Sequence, residues 1–224
     1  MLFIDRFEAG RRLAARLAHL RGRPAVVLAL PRGGVPVGYE IARALDAPLD
    51  LVLVRKIGAP GQAELAIGAV AEGDPPEMVA EARLIAALAV PSKYLEAAQR
   101  RALDEIRRRR AVYLRGRARA PLPGRVAIVV DDGIATGATM LAAVRAVRRQ
   151  APQRLVLAVP VAAPESLQRL GGEVDEVVCL ETPVEFEAVG QFYRAFPQMS
   201  DPEVTDLLDR AAGFGGGAVA EDAP

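Results

Sequence analysis

The sequence predicts an α/β fold, a mostly parallel open sheet flanked by helices, with a small hood built from the terminal segments. Three observations predict it. Short β-branched runs alternate with longer segments of helical period, as parallel strands joined by crossover helices require. The best strand candidates are continuously apolar rather than alternating, which marks strands covered on both faces. Glycine-bearing loops follow several of these runs at the strand end where open α/β sheets place ligands.

The elements follow in order. Residues 5–20 read as a helix with Phe7, Leu13, Leu17 and Leu20 near one face, and Pro24–Leu30 as a buried strand. The loop Pro31–Gly34 leads into a helix around 36–45, and Leu49–Arg55 is the second strand, followed by a Gly/Pro-punctuated loop to about Glu64. Leu65–Glu72 reads as a strand, whereas Met78–Val90 fits strand and helix equally. Ser92 is the N-cap candidate of a long helix to about Arg115, with Leu95, Ala98, Ala102, Ile106 and Tyr113 near one stripe. Arg125–Asp131 is a buried strand, and the helix after it carries Met140, Leu141, Val144 and Val147 on one face. Arg154–Val161 and Glu176–Leu180 complete the sheet, with a short helix near 165–170 between them. Phe186–Ala212, richer in aromatics, is expected to be helical. The expected organisation is one domain over 1–212, with a core at about 21–182, a hood from 1–20 and 184–210, and a flexible tail over 213–224.

The chain has 224 residues, 51% hydrophobic and 25% charged, which suits a single compact domain and excludes disorder for most of it. A net charge of +1 points to neither a nucleic-acid binder nor an acidic tail, so charge must be read locally. The first six residues already contain an acid and a base, and no stretch of about 18 apolar residues occurs. Neither a signal peptide nor a spanning helix is expected, and the cytoplasm is the expected location. With one cysteine, Cys179, and one histidine, His19, a disulfide scaffold, a His/Cys zinc site and a Ser-His-Asp triad are poor fits; both residues read as structural. The cations are 27 Arg and 2 Lys, and Asn and Trp are absent, which fits a GC-rich genome, a thermophile, or both.

The most informative stretch is Val129–Met140, reading Val-Val-Asp-Asp-Gly-Ile-Ala-Thr-Gly-Ala-Thr-Met. An apolar strand ends in two carboxylates, and a small-residue loop with two threonines then opens a helix. Unpaired N–H groups at the positive end of a helix dipole suit a phosphate, so Ala135, Thr136, Gly137, Ala138 and Thr139 are the phosphate-binding candidates. Asp131 and Asp132 are placed to accept hydrogen bonds from vicinal sugar hydroxyls. The loop has no Walker lysine and no Gly-x-Gly-x-x-Gly fingerprint, which argues against a phosphotransferase or dinucleotide enzyme. A second anion-receptive loop, Pro31-Arg32-Gly33-Gly34, lies between the first strand and a helix. Third, the second strand ends in Arg55 and Lys56.

Together these stretches resemble the type I phosphoribosyltransferases, in an uncharacterised bacterial branch where Val-Arg-Lys-Ile-Gly-Ala-Pro and Gly190-Gln-Phe-Tyr-Arg-Ala-Phe196 also occur. The resemblance covers about residues 20–182, and its specific part is the signature over 129–140 with the Arg-Gly-Gly loop. It implies that the amides of Arg32, Gly33 and Gly34 hold pyrophosphate, often across a non-proline cis peptide, here Pro31–Arg32. It assigns a pyrophosphate contact to Lys56, with Arg55 second, and a mobile closing loop to residues 58–92, with Gln62 and Glu64 as further candidates. The implied reaction displaces pyrophosphate from C1 of 5-phosphoribosyl pyrophosphate (PRPP) by a nitrogen nucleophile, as in nucleotide salvage. Asp131, Asp132, Lys56 and Arg32 form the implied catalytic set, with Asp131 or Asp132 as the general-base candidate. Mg²⁺ is the implied cofactor, held mainly by substrate and water rather than by direct protein ligands. Phe186, Phe192, Tyr193 and Phe196 are available to cover a base, with Phe192 and Tyr193 the stacking candidates, although the i, i+1, i+4 spacing of 192, 193 and 196 more often fills a small core. PRPP, a nucleobase-like molecule and a second copy of the chain in a homodimer are the implied partners, without a membrane.

The long basic helix is a departure from the smallest family members. Its run Arg107–Arg110 faces several sides and is accompanied by Asp104 and Glu105, which reads as a solvated, salt-bridged face rather than a nucleic-acid surface. The alternative function is a non-catalytic PRPP- or nucleotide-binding regulator that uses this run as a polyanion surface. No helix-turn-helix or RNA-binding signature accompanies it.

Overall fold

The computed structural model describes residues 2–215. The strands are β1 (Ala25–Ala29), β2 (Leu49–Leu51), β3 (Val54–Ala59), β4 (Gln62–Ala71), β5 (Glu77–Ala80), β6 (Val126–Val130), β7 (Arg154–Val161) and β8 (Glu176–Glu181). The α-helices are α1 (Arg6–Arg16), α2 (Gly34–Leu45), α3 (Ala82–Ala87), α4 (Ser92–Leu114), α5 (Ala138–Arg148), α6 (Pro164–Gly171) and α7 (Asp201–Arg210). The core sheet has the order β2-β1-β6-β7-β8 and is parallel throughout. In β1 and β6 every residue is buried, which is why they read as unbroken apolar runs.

One face of this sheet is covered by α1 and α2, through Leu13, Leu17, Val37 and Ile41 against Val27, Ile128 and Val156. On the other face α5 contributes Met140, Leu141, Val144 and Val147 against Val129, Leu155 and Leu157. A second, antiparallel sheet, β3-β4-β5, packs on α5. A third cluster joins this sheet to α4 and α7 through Ile57, Ile67, Ile106, Tyr113 and Leu207.

Three expectations are corrected and one open reading is resolved. The strand expected over Leu49–Arg55 is two strands in two sheets: Leu49–Leu51 pair with β1, and Val54 opens β3 opposite Ala71. At the crossing, Glu72 accepts from the Leu53 amide at 3.3 Å and its own amide donates to the Leu53 carbonyl at 3.0 Å. Apolar periodicity continues through this change of sheet and so cannot reveal it. Second, Met78–Val90 divides into β5 and α3. Third, Pro91 rather than Ser92 occupies the cap of α4, with no side-chain capping bond. Fourth, within Phe186–Ala212 only Asp201–Arg210 is α-helical, with 3₁₀ turns at Val189–Phe192 and from Ala211. The residues before Asp201 spend backbone bonds on the N-terminal segment instead: the Phe3 amide donates to the Phe192 carbonyl and the Arg194 amide to the Phe3 carbonyl, both at 2.8 Å.

Of the tail expected from Gly213, Phe214 packs its ring on Tyr39 at 5.6 Å and the Gly215 amide donates to Asp46 at 3.1 Å. Residues 216–224 lie outside the described residues. Among the described residues no helix is long and apolar enough to cross a membrane.

Candidate active site

The signature loop leaves β6 at Val130 and enters α5 at Ala138, with Gly137 at the cap in the left-handed conformation, φ 74°. A residue with a side chain resists that φ, and a Cβ there would also lie 3.3 Å from Ser166 Cβ. The loop is tied from behind. Ser166 Oγ donates to the Ala135 carbonyl, and Arg169 Nη2 donates to the Thr136 carbonyl at 2.8 Å. With these carbonyls engaged by α6, the first-turn amides of α5, which have no intrahelical acceptor, are the donors left for a ligand. Ala135 and Thr136 are exposed, Thr139 is half-buried, and Gly137 and Ala138 are buried.

The Arg-Gly-Gly loop meets the two acids directly. The Pro31–Arg32 peptide is cis, as the resemblance implies. A Cβ on Gly33 would lie 2.0 Å from Asp132 Oδ2, and one on Gly34 would lie 2.7 Å from the Val130 carbonyl oxygen. Only glycine allows this approach, so both loops present backbone to a common place at the carboxyl ends of β1 and β6.

The acids are differently partnered. Asp132 accepts from Arg6 Nε at 2.8 Å, and its carbonyl accepts from the Tyr193 hydroxyl at 2.6 Å. Asp131 Oδ1 accepts from the Asp132 amide at 2.9 Å. Burial pushes the Asp131 carboxyl well above the usual carboxylate range, and the neighbouring Asp132 charge adds to this. Burial also raises Asp132, with the Arg6 guanidinium opposing it. Arg6 itself is buried, donates from Nη1 to the Pro197 carbonyl at 2.7 Å and stacks on Phe196 with its Cζ 3.7 Å from the ring centroid. Beside it a cleft of about 540 Å³ is lined by Arg6, Phe7, Pro36, Met199 and Leu207, among others.

Not every candidate converges here. Arg32 keeps its backbone in the loop while its Nη1 lies 3.7 Å from Asp201 on α7. Arg55 and Lys56 are exposed on β3, in the second sheet rather than at the end of a core strand. They line a separate cleft of about 540 Å³ with Tyr94 and Arg101 of α4. Tyr193 does not offer its ring to a base: it is buried, with ring centroids 5.3 Å from Phe3 and 4.9 Å from Phe196, and its hydroxyl is spent on Asp132. Phe192 is half-buried, packs on Phe186 at 5.0 Å and lines a shallow cleft with Leu2 and Val184. The Arg107–Arg110 run is paired: Arg107 with Asp104, Arg108 and Arg109 with Glu105, and Arg110 with Glu72.

Sequence reasoning missed Arg6, Ser166 and Arg169. Nothing local distinguishes Arg6 among 27 arginines, and its role arises only when α1 packs beside the signature loop.

A parallel sheet carrying a helix-opening phosphate-type loop, with an acidic pair set against a glycine loop, defines a phosphoribosyltransferase-like α/β protein. The model of the phosphoribosyl transferase domain matches residues 4–195, and the chain belongs to this family. TT1426 from Thermus thermophilus, known from its crystal structure, is 46% identical with a TM-score of 0.78, covering 93% of this chain and 98% of that one. Proteins from two Mycobacterium tuberculosis strains, each named "Putative phosphoribosyl transferase", are 50% identical over 210 residues, 94% of this chain and 47% of theirs. The chain thus spans about half the length of these relatives.

Proposed function

We propose that the chain transfers the 5-phosphoribosyl group of PRPP to a nitrogen base or related acceptor and releases pyrophosphate. The observation that carries this reading is the contact between the two loops, with Gly33 against Asp132 and Gly34 against Val130. It puts a loop suited to pyrophosphate and a carboxylate pair suited to ribose hydroxyls at one place, beside amides suited to the 5-phosphate. In the reaction the C1–O bond to pyrophosphate breaks, a C1–N bond forms, and the nitrogen gives up a proton. The protein's part is mainly to position both reactants and to stabilise the departing charge.

Asp132, held by Arg6, acts as a fixed acceptor for a ribose hydroxyl. Asp131 has a carboxyl of raised proton affinity, which suits it to take the proton from the nitrogen. The amides of Arg32, Gly33 and Gly34 hold the leaving pyrophosphate, and the arms of Lys56 and Arg55 reach it when the β3–β4 hairpin closes. Phe192 and the terminal segments 1–20 and 184–210 cover the acceptor. No group of three or more His, Cys, Asp or Glu among the described residues is placed to hold a metal ion. The carboxylates of Asp131 and Asp132 are hard oxygen donors that would suit a Mg²⁺ held mainly by substrate and water. When bound, the ion neutralises charge on the departing pyrophosphate.

A homodimer in the cytoplasm belongs to the same reading. The regulatory alternative draws less support, because the arginine run it would use is already paired with acids. Incubation with PRPP, Mg²⁺ and a panel of nitrogen bases, read as pyrophosphate release, tests the proposal. Release with one base supports it, and PRPP binding without release from any base would favour the regulator.

A further inference from the structure

The long helix α4 has no part in the reaction as proposed so far, yet one end bonds the strand that carries Arg55 and Lys56, and the other bonds Asp201, the acid that faces Arg32. Near its start, the Tyr94 hydroxyl donates to the Gly58 carbonyl at 2.9 Å, on the strand that carries Arg55 and Lys56. At its end, the Tyr113 hydroxyl donates to Asp201 Oδ1 at 2.6 Å, the same oxygen that lies 3.7 Å from Arg32 Nη1. Between them, Arg110 donates to the buried Glu72 at 2.7 Å, where the chain crosses between sheets.

We infer that Asp201 and Tyr113 are positioning residues for Arg32, and that through them α4 sets the affinity of the pyrophosphate half of the site. This rests on the proposed function. Asp201 is the first residue of α7, where a carboxylate is favoured by the helix dipole. The Tyr113 phenol is buried, and burial and Asp201 together push its pKa up to about 12, so it remains a donor throughout the working range. That bond fixes Asp201 from one side. The separation of Arg32 from Asp201 is that of an ion pair without a hydrogen bond, so Asp201 holds the guanidinium by charge without taking one of its donors. Neither Asp201 nor Tyr113 needs to touch the ligand. The inserted helix thereby becomes part of the site's geometry rather than a surface for another partner.

The test uses the full chain with Mg²⁺ and two probes titrated separately by calorimetry, inorganic pyrophosphate and ribose 5-phosphate. Tyr113→Phe keeps the ring packing and removes the hydroxyl, and Asp201→Asn removes the charge at the half-buried start of α7. Each is expected to raise the Kd for pyrophosphate about five- to tenfold, the size of coupling found between residues of one polar network. Ribose 5-phosphate should move by less than about twofold, which general damage to the fold would not allow. If the parent chain binds both probes and the variants lose both equally, or bind pyrophosphate as well or better, the positioning role is overturned while the proposed function stands. If the parent chain binds neither probe, the proposed function itself fails and takes this inference with it.

Discussion

Arg6 Nε donates to Asp132 Oδ2 at 2.8 Å, so the second acid of the signature loop carries its own counter-ion, supplied by the first turn of α1. The guanidinium is locked by the Pro197 carbonyl and the Phe196 ring. The acidic pair is thereby unequally partnered: burial raises both carboxyls, and the Arg6 guanidinium opposes that rise at Asp132, to which it donates.

Removing Arg6 leaves a partly buried carboxylate without its charge partner. Arg6→Ala is expected to weaken PRPP binding by about 1.5–3 kcal/mol, roughly tenfold or more. In the proposed reading PRPP needs the ionised carboxylates as acceptors, so affinity should fall as pH drops through their raised pKa values. Arg6 holds Asp132 down, and its loss must move that fall to higher pH. Kd measured across a pH series checks this, and an unmoved midpoint would contradict the pairing.

Asp131 makes an opposite prediction for stability. Its folded-state pKa is raised above the unfolded value, so it favours folding most when protonated and costs stability as pH rises from the unfolded value through the folded one. Asp131→Asn should therefore raise the melting temperature at neutral pH and remove that part of the pH dependence. Together with Asp132→Asn it should abolish PRPP binding without unfolding the chain. Thermal melts at two pH values and a PRPP titration are sufficient, and unchanged affinity in the double variant would sink the site assignment.

The two glycines of the Arg32-Gly33-Gly34 loop should fail differently. In Gly33→Ala the new methyl meets a side-chain carboxylate, Asp132, so the fold adjusts and PRPP binding suffers. In Gly34→Ala it meets backbone, the Val130 carbonyl at 2.7 Å, so stability suffers by about 1–3 kcal/mol. Urea denaturation beside PRPP titration separates the two outcomes.

Arg32→Ala and Lys56→Ala should each weaken PRPP more than a nucleoside monophosphate, since only PRPP carries pyrophosphate. Equal losses for both ligands would remove these residues from the pyrophosphate site. The Lys56 result is the sharper one, because Lys56 is exposed on β3, in the second sheet, and lines a cleft separate from the acidic pair.

The legible part of the site is the part written in consecutive residues. Val129–Met140 shows strand, acids, loop and helix within one stretch, and Arg32-Gly33-Gly34 shows its turn in the same way. The strand at Leu49–Arg55 misled because Val52 and Leu53 are apolar on both sides of a change of sheet, so hydrophobic pattern carries no mark of it. Tyr193 left two readings open, a stacking surface and a small core; packing gave its ring to Phe3 and Phe196 and its hydroxyl to the Asp132 carbonyl, so the core reading holds. Arg6, Arg169 and Asp201 lie far along the chain from their partners Asp132, Thr136 and Arg32, and no local pattern can encode such contacts.

The most direct test of the central claim is calorimetric titration of the purified chain with PRPP, with and without Mg²⁺, repeated on the Asp131→Asn, Asp132→Asn double variant. The account predicts saturable, Mg²⁺-enhanced binding by the parent chain and none by the variant. Absence of binding by the parent chain, or equal binding by both, would contradict it.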